Sequence, residues 1–238
     1  ANYESVVRRP GSVAQADIDE GLRAYMNKVY GLMGLAMVIT GALAYVFGND
    51  LYAVLDALRE SQRTDTYVEP QTAFIPAGLL TTLFFSPLKW AVMFGPLVFV
   101  FLFSAIIPKL SASTAKVMFF AFAAFMGISI STIFAVYTSM SIATAFFMAA
   151  IMFLSLSLIG YTTKRDLSAM GVFLTMALIG LIVASLVNFF FIESSMFKLF
   201  VDVGILVVVA GLTAYYTQEI KNQYLHYSTM GSEGAAVL

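Results

Sequence analysis

Six stretches of this sequence, each of about 20 residues, are almost entirely apolar, and none of them contains Lys or Arg. A helix rises about 1.5 Å per residue, so each stretch is long enough to cross the roughly 30 Å hydrocarbon core of a bilayer. A helix also satisfies its own backbone hydrogen bonds, which lipid cannot do. The sequence therefore predicts an all-α integral membrane protein. The six predicted transmembrane helices cover approximately residues 29–47, 90–107, 117–137, 142–161, 171–191 and 199–216.

The composition excludes several functional classes. Hydrophobic residues make up 60% of the 238-residue chain and charged residues only 11%, against roughly 25% charged residues in a soluble domain. The net charge of −1 offers no basic excess for nucleic acid. The chain has no Cys and one His, which argues against disulfides, thiolate chemistry and metal sites built from these residues. We therefore predict a protein that is not an enzyme, with no catalytic residues, no metal and no cofactor.

The distribution of basic residues predicts the orientation. Nine of the 13 Lys and Arg residues fall before the first span, in the second and fourth connections, or in the tail. Basic residues favour the cytoplasmic side, so both termini are predicted to be cytoplasmic. Residues 1–16 are expected to form a cytoplasmic arm. An amphipathic helix capped by Asp17 is expected to lead into one transmembrane domain over residues 17–238.

The connection between the first two spans, residues 48–89, is much longer than usual. Near its start four apolar residues recur at helical spacing, and charged residues occupy the opposite face. The four are Leu51, Val54, Leu55 and Leu58. This pattern predicts an interfacial helix on the outer leaflet, with an apolar face suited to docking a partner. A second apolar segment, residues 73–85, is broken by Pro76 and is predicted to re-enter the membrane or lie on its surface.

A few polar residues in the spans are candidates for an ion path. Asp202 is the only ionisable residue within a predicted span, and it is either functional or an acid at the outer interface. Ser129, Ser131 and Thr132 lie in the third span. Such hydroxyls either line a path for water or a cation, or form hydrogen bonds between and within helices.

Five segments along the chain together carry a family resemblance. They read GLRAYMNKVYG from Gly21, STIFAVYT from Ser131, YTTKRDLS from Tyr161, ASLVNF from Ala184 and GLTAY from Gly211. In these segments the chain resembles the Bax inhibitor-type (transmembrane Bax-inhibitor-motif) family, especially its bacterial inner-membrane branch. The resemblance implies a seven-helix bundle with a cytoplasmic N-terminus. It also implies, for some members, a pH-sensitive calcium leak gated by two Asp residues that share a proton.

The sequence departs from this implied gate in three ways. Tyr216 stands where the family has one of the two acids. The second span contains no Arg, whereas the resemblance implies, for some members, an Arg on the second helix that locks the two acids. The chain reaches Leu238 where the family's seventh helix is expected to begin, so six of the seven helices are expected here. Residues 51–74 also look like an insertion relative to the family.

These departures shape the functional expectation. We expect a non-catalytic accessory or regulatory subunit that packs against a larger complex in the bacterial inner membrane. Its partners would be the lipid bilayer and another integral membrane protein. The alternative is a pH-sensitive leak for calcium or another cation, with calcium as the transported ion. A further alternative is a modulator of membrane-protein proteolysis.

Overall fold

A computed structural model describes residues 10–137 and 139–229, and no β-strand occurs in these ranges. Eight α-helices follow one another along the chain: α1 Pro10–Thr64, α2 Ala77–Phe85, α3 Lys89–Ile106, α4 Ala112–Ile130, α5 Thr132–Val136, α6 Ser139–Thr162, α7 Ser168–Val187 and α8 Ser195–Thr229. A 3₁₀ turn, Ile107–Lys109, follows α3, and a π-helical turn, Asn188–Ile192, extends α7. Six of the helical segments are long and apolar enough to cross a membrane. The prediction of an all-α protein with six transmembrane helices is confirmed.

The first helix differs from the prediction at both ends. It begins at Pro10, a residue suited to the first helical turn, and not at Asp17, so part of the predicted arm is helical. Residues 1–9 of that arm lie outside the described part. At its other end α1 continues to Thr64.

The predicted helix near the start of residues 48–89 is present, but its residues form the last turns of α1 and continue the first span. Its place at the outer interface stays a prediction. No proline interrupts the chain between Pro10 and Pro70, and a single glycine such as Gly48 costs a helix only about 1 kcal/mol. The helix ends where Asp65 adopts a left-handed conformation with φ of 53°, a common way to terminate a helix.

The third predicted span, residues 117–137, is divided between α4 and α5. The break falls at Ser131, whose buried hydroxyl donates a hydrogen bond to the carbonyl oxygen of Ile128 at 2.7 Å. Serine that bonds back to the preceding turn competes with the helical backbone and bends helices. The break therefore coincides with a side-chain bond to the preceding turn.

Close contacts between residues divide the chain into two compact units. In the unit formed by Val29–Thr144, α1 and α4 approach closely. The Thr40 hydroxyl donates to the carbonyl oxygen of Ala123 at 2.8 Å. A Cβ atom placed on Gly127 would lie 2.6 Å from the Thr40 carbonyl oxygen, so only glycine permits this approach.

The other compact unit contains the described residues up to Lys28 and those from Ala145 to Thr229. In this unit α7 packs against α8. A Cβ atom on Gly211 would lie 2.6 Å from Cδ1 of Leu174. The outward sides of these helices are apolar, with Phe173 and Phe200 about 70% exposed, as expected for helices surrounded by lipid.

Candidate functional site

The side chain of Asp50 organises the chain beyond the first span. This residue is fully buried in α1. Its Oδ1 atom accepts the backbone N–H of Ala73 at 2.9 Å, and its Oδ2 atom accepts those of Phe74 and Ile75, both at 2.7 Å. A carboxylate with three backbone donors is satisfied without a cation, because hydrogen bonds to an ionised acceptor are strong. Asp50 therefore anchors the segment immediately before α2.

A second anchor lies farther along the same face of α1. The Ser61 hydroxyl donates to the Ala57 carbonyl oxygen at 2.7 Å and accepts the backbone N–H of Val68 at 2.9 Å. The two anchors lie about 16 Å apart along the helix. The chain from Val68 to Ala73, with five residue-to-residue steps, covers the same length of about 16 Å when extended. Residues 65–76, which we call the strap, therefore run back along α1.

The strap leads into α2, which forms part of the wall of a groove in the same compact unit. The groove has a volume of about 440 Å³, within the range typical of ligand pockets. Its lining comes from α1 to α5 and is mainly apolar. The lining residues are Leu51, Leu55, Phe84, Phe85, Lys89, Trp90, Val92, Met93, Ser129, Thr132 and Val136. Leu51 and Val92 are buried, whereas Trp90, Met93 and Val136 are more than half exposed.

Lys89 is the one charged residue in the lining of this groove. Its ammonium nitrogen lies 5.6 Å from the centre of the Trp90 ring, within the range of a cation–π interaction. The Trp90 ring in turn stacks on Phe94, with ring centres 5.9 Å apart. The groove therefore combines apolar walls with a cation and an indole at one end.

The structure places only some of the predicted path residues at the groove. Ser129 and Thr132 line it, whereas the hydroxyl of Ser131 is buried and bonded to Ile128. Asp202, in the other compact unit, lies in the second turn of α8, and its carboxylate pairs with the Lys198 ammonium at 2.6 Å. Both side chains are more than half exposed, and exposed pairs of this kind contribute little stability. The ion path stays a prediction.

The predicted docking face is largely covered by the chain itself. Leu51 and Val54 are only 3% and 0% exposed, because they share the side of α1 on which the strap and groove lie. Leu55 is half-buried, and Leu58 is exposed. The prediction of a free docking surface over all four residues therefore needs correction, and only Leu58 presents a large open apolar surface.

Tyr216, at the position of the absent acid, is 53% exposed, and its ring centre lies 5.1 Å from that of Tyr215. The buried residue that organises this end of α8 is Gln218. Its amide nitrogen donates to the Arg165 carbonyl oxygen at 2.7 Å, and its amide oxygen accepts the Leu167 N–H at 2.9 Å.

Other bonds order the connection between α6 and α7 locally. The Lys221 ammonium donates to the Tyr161 carbonyl oxygen at 2.8 Å. The Asp166 carboxylate accepts the backbone N–H of Ser168 at 2.9 Å. Hydrogen bonds from the side chain and backbone of Ser168 hold the pKa of Asp166 below its ordinary value.

Sequence reasoning missed Asp50 and Gln218. For Asp50 a signal was available, since Asp50, Val54, Ala57 and Ser61 recur at intervals of three and four residues and share one helical face. An acid on a face that is otherwise apolar or small indicates a buried anchor. For Gln218 the sequence around it carries no comparable signal.

Helices of this length and polarity define a polytopic α-helical membrane protein. The sequence profile described as "Inhibitor of apoptosis-promoting Bax1", Bax1-I, matches residues 22–236. The chain therefore belongs to the Bax inhibitor-type family, which confirms the resemblance predicted from the sequence.

Curated relatives cover most of the chain. The inner membrane protein YbhL of Escherichia coli (strain K12) is 39% identical over 202 residues, which are 85% of this chain and 75% of YbhL. An uncharacterized protein of Rickettsia prowazekii is 38% identical over 87% of this chain and 76% of its own length. An uncharacterized protein of Caulobacter vibrioides is 34% identical over 96% of this chain and 83% of its own length. No solved structure matches the chain.

Proposed function

We propose that this protein is a non-catalytic accessory subunit of the bacterial inner membrane that contacts another integral membrane protein. The contact surface is the outer platform, which we define as the end of α1 from residue 48 onward together with the strap. The likeness to YbhL, named as an inner membrane protein, supports the location. The excess of basic residues before the first span and in the second and fourth connections supports cytoplasmic termini.

The main support for this proposal is that hydrogen bonds fix the strap to α1. The strap is bonded to α1 at Ser61 and at Asp50, so its exposed side chains are held in place before any partner arrives. A surface ordered in advance loses less conformational entropy on binding. The platform supports a role in recognition for that reason.

Large apolar and aromatic side chains on the platform point outward. Tyr67 is 81% exposed and Phe74 is 68% exposed, while Tyr52 and Leu58 are 50% and 41% exposed. Tyrosine is enriched at the energetically dominant positions of protein interfaces, and an exposed apolar patch is typical of an interaction site. Charged residues of α1, such as Arg59 and Glu60, provide a polar rim around them.

The partners of two acids, Asp50 and Asp202, favour binding over gating. A proton-sharing pair needs two carboxyl groups close together. Asp50 is occupied by three backbone donors, Asp202 is paired with Lys198, and Tyr216 replaces the acid expected in α8. An accessory subunit that acts through its contact surface does not need a proton-sharing pair of carboxyl groups.

Site-specific photocrosslinking in cells tests the proposal. A photoreactive residue at Tyr67 or Phe74 is expected to give a discrete crosslinked protein band. The matched control is Phe101, which is 69% exposed on the apolar side of α3 and is expected to contact lipid alone. Native purification in mild detergent should then recover the same partner at a fixed stoichiometry. A protein that yields no specific band and purifies alone contradicts the proposal.

A cation leak is the second candidate, because the Ser129 and Thr132 hydroxyls line the groove. It predicts calcium flux into proteoliposomes that changes with pH and falls in Asp202→Asn. Flux equal to that of empty vesicles eliminates this candidate and leaves the accessory role in place. Crosslinking and calcium flux have independent readouts, so each candidate function can be rejected without affecting the other.

A further inference from the structure

We infer that the groove binds an anionic phospholipid, with the lipid phosphate at the Lys89 ammonium and an acyl chain along the apolar walls. The groove shares Leu51 and Leu55 with the outer platform, but its other lining residues lie outside the platform, and the inference does not depend on the accessory role. It rests on the charge of the groove, its position at the helix ends and the surface onto which it opens.

The charge of the groove selects an anionic ligand. Lys89 is the sole charged residue in the lining, and the lining contains no carboxylate. Among the described residues no carboxylate forms an ion pair with the Lys89 ammonium. Its ammonium contacts the Trp90 ring face instead. An ammonium held beside an apolar groove without a counter-ion is complementary to a phosphate attached to a hydrocarbon chain.

The position of the groove matches the boundary between bilayer and water. Lys89 and Trp90 begin α3, one of the helices long enough to cross a membrane. Tryptophan is enriched at the headgroup level, and lysine near the end of a transmembrane helix places its ammonium there while its stem covers apolar surface. The lipid phosphate is found at the same level.

The groove continues into a surface made for hydrocarbon. From Trp90 and Met93 at its rim, the exposed side of α3 runs on through Leu97 and Phe101, which are 56% and 69% exposed. These residues recur at intervals of three and four and so share one helical face. A lipid can enter sideways from the bilayer, with the rest of its acyl chain lying on this face. A soluble ligand has no hydrocarbon chain to bury against this apolar face.

Trp90 is the only tryptophan in the chain, so its fluorescence reports on the groove directly. The full chain is reconstituted into phosphatidylcholine vesicles that contain increasing, matched mole fractions of either dibrominated phosphatidylglycerol or dibrominated phosphatidylcholine. Brominated chains quench tryptophan on contact. We expect the anionic lipid to reach half-maximal quenching at about one fifth of the mole fraction that the zwitterionic lipid needs. That ratio corresponds to about 1 kcal/mol, the contribution of one basic residue near an anionic surface.

Charge variants separate the groove from general attraction to the membrane. Lys89→Gln is expected to abolish the difference between the lipids, and Lys89→Arg is expected to restore it. Lys109→Gln removes an exposed lysine at the opposite end of the α3 segment and should leave the preference intact. Equal quenching by both lipids in the wild-type protein overturns the inference, as does a preference that survives Lys89→Gln.

A filled groove gives a second test. Ser129→Phe is expected to reduce quenching by both brominated lipids, while the control Leu154→Phe, at a 65% exposed position of α6, should have no effect. Circular dichroism confirms the helical content of each variant. Quenching unchanged by Ser129→Phe overturns the inference. If neither brominated lipid quenches Trp90 in vesicles, and this protection is lost after detergent extraction, the occupant of the groove is a protein segment. That result also overturns the inference.

Discussion

The Oδ2 atom of Asp50 in α1 accepts the backbone N–H of Ile75 at 2.7 Å, although 25 residues separate the two in the sequence. This bond, with those to Ala73 and Phe74, converts a long connection into an ordered strap. The strap then positions α2, which supplies Phe84 and Phe85 to the groove. One buried carboxylate thus supports both surfaces for which we propose roles.

Asp50→Asn is expected to release the strap. The amide keeps one acceptor oxygen but turns an N–H group toward backbone donors, so at least one of the three donors loses its partner. We expect the free energy of unfolding to fall by about 2 kcal/mol or more, with loss of hydrogen-exchange protection at residues 73–75. Thermal unfolding in detergent and hydrogen exchange measure the two effects.

Asp56→Asn is the matched control for this change, because Asp56 is an exposed acid on the same helix. It should leave both stability and exchange unchanged. If Asp50→Asn behaves like Asp56→Asn, the carboxylate does not hold the strap.

Ser61→Ala is expected to loosen the other end of the strap. The Val68 N–H loses its acceptor, and a typical hydrogen bond contributes about 1 kcal/mol. Hydrogen exchange at Val68 should accelerate about fivefold as a result. Thr64→Ala removes a hydroxyl that bonds only within the last turn of α1, and faster exchange of Val68 in that variant would argue against a specific role for Ser61.

Gly127→Ala is expected to push α4 away from α1. The new methyl group would lie 2.6 Å from the Thr40 carbonyl oxygen and 3.0 Å from the Leu43 Cβ atom, and overpacking of this kind costs typically about 1–3 kcal/mol. Gly31→Ala meets no atom within 4 Å and should be neutral or stabilising by up to about 1 kcal/mol. Thermal stability in detergent compares them, and equal stability of the two variants would refute the close approach.

Gln218→Leu is expected to free the connection between α6 and α7. The Arg165 carbonyl oxygen and the Leu167 N–H both lose their partner, at a cost of about 1–3 kcal/mol if they stay buried. Limited trypsin digestion should therefore cut faster after Lys164 and Arg165. Gln223→Leu changes an exposed glutamine on the same helix and should not alter the rate; a similar increase in both variants would contradict an anchoring role for Gln218.

The sequence by itself determined the transmembrane architecture and the family. A segment's ability to cross a bilayer depends on its own length and polarity, so each of the six spans could be identified from its own sequence. The family could be identified because its motifs, such as GLTAY from Gly211, are short contiguous segments. The break of the second apolar segment at Pro76 was readable for the same reason, since α2 begins immediately after it.

Tertiary structure alone decided how the connection between the first two spans is arranged. Leu51 and Val54 read as a free apolar face because helical periodicity reveals which residues share a side, but not what covers that side. The acceptor in Asp50 and its donors lie more than 20 residues apart, and no local pattern pairs them. The same limit applies to the groove, where Lys89, Ser129 and Leu55 meet only because α1, α3 and α4 pack together. Contacts between distant segments depend on packing, and packing is a property of the folded chain.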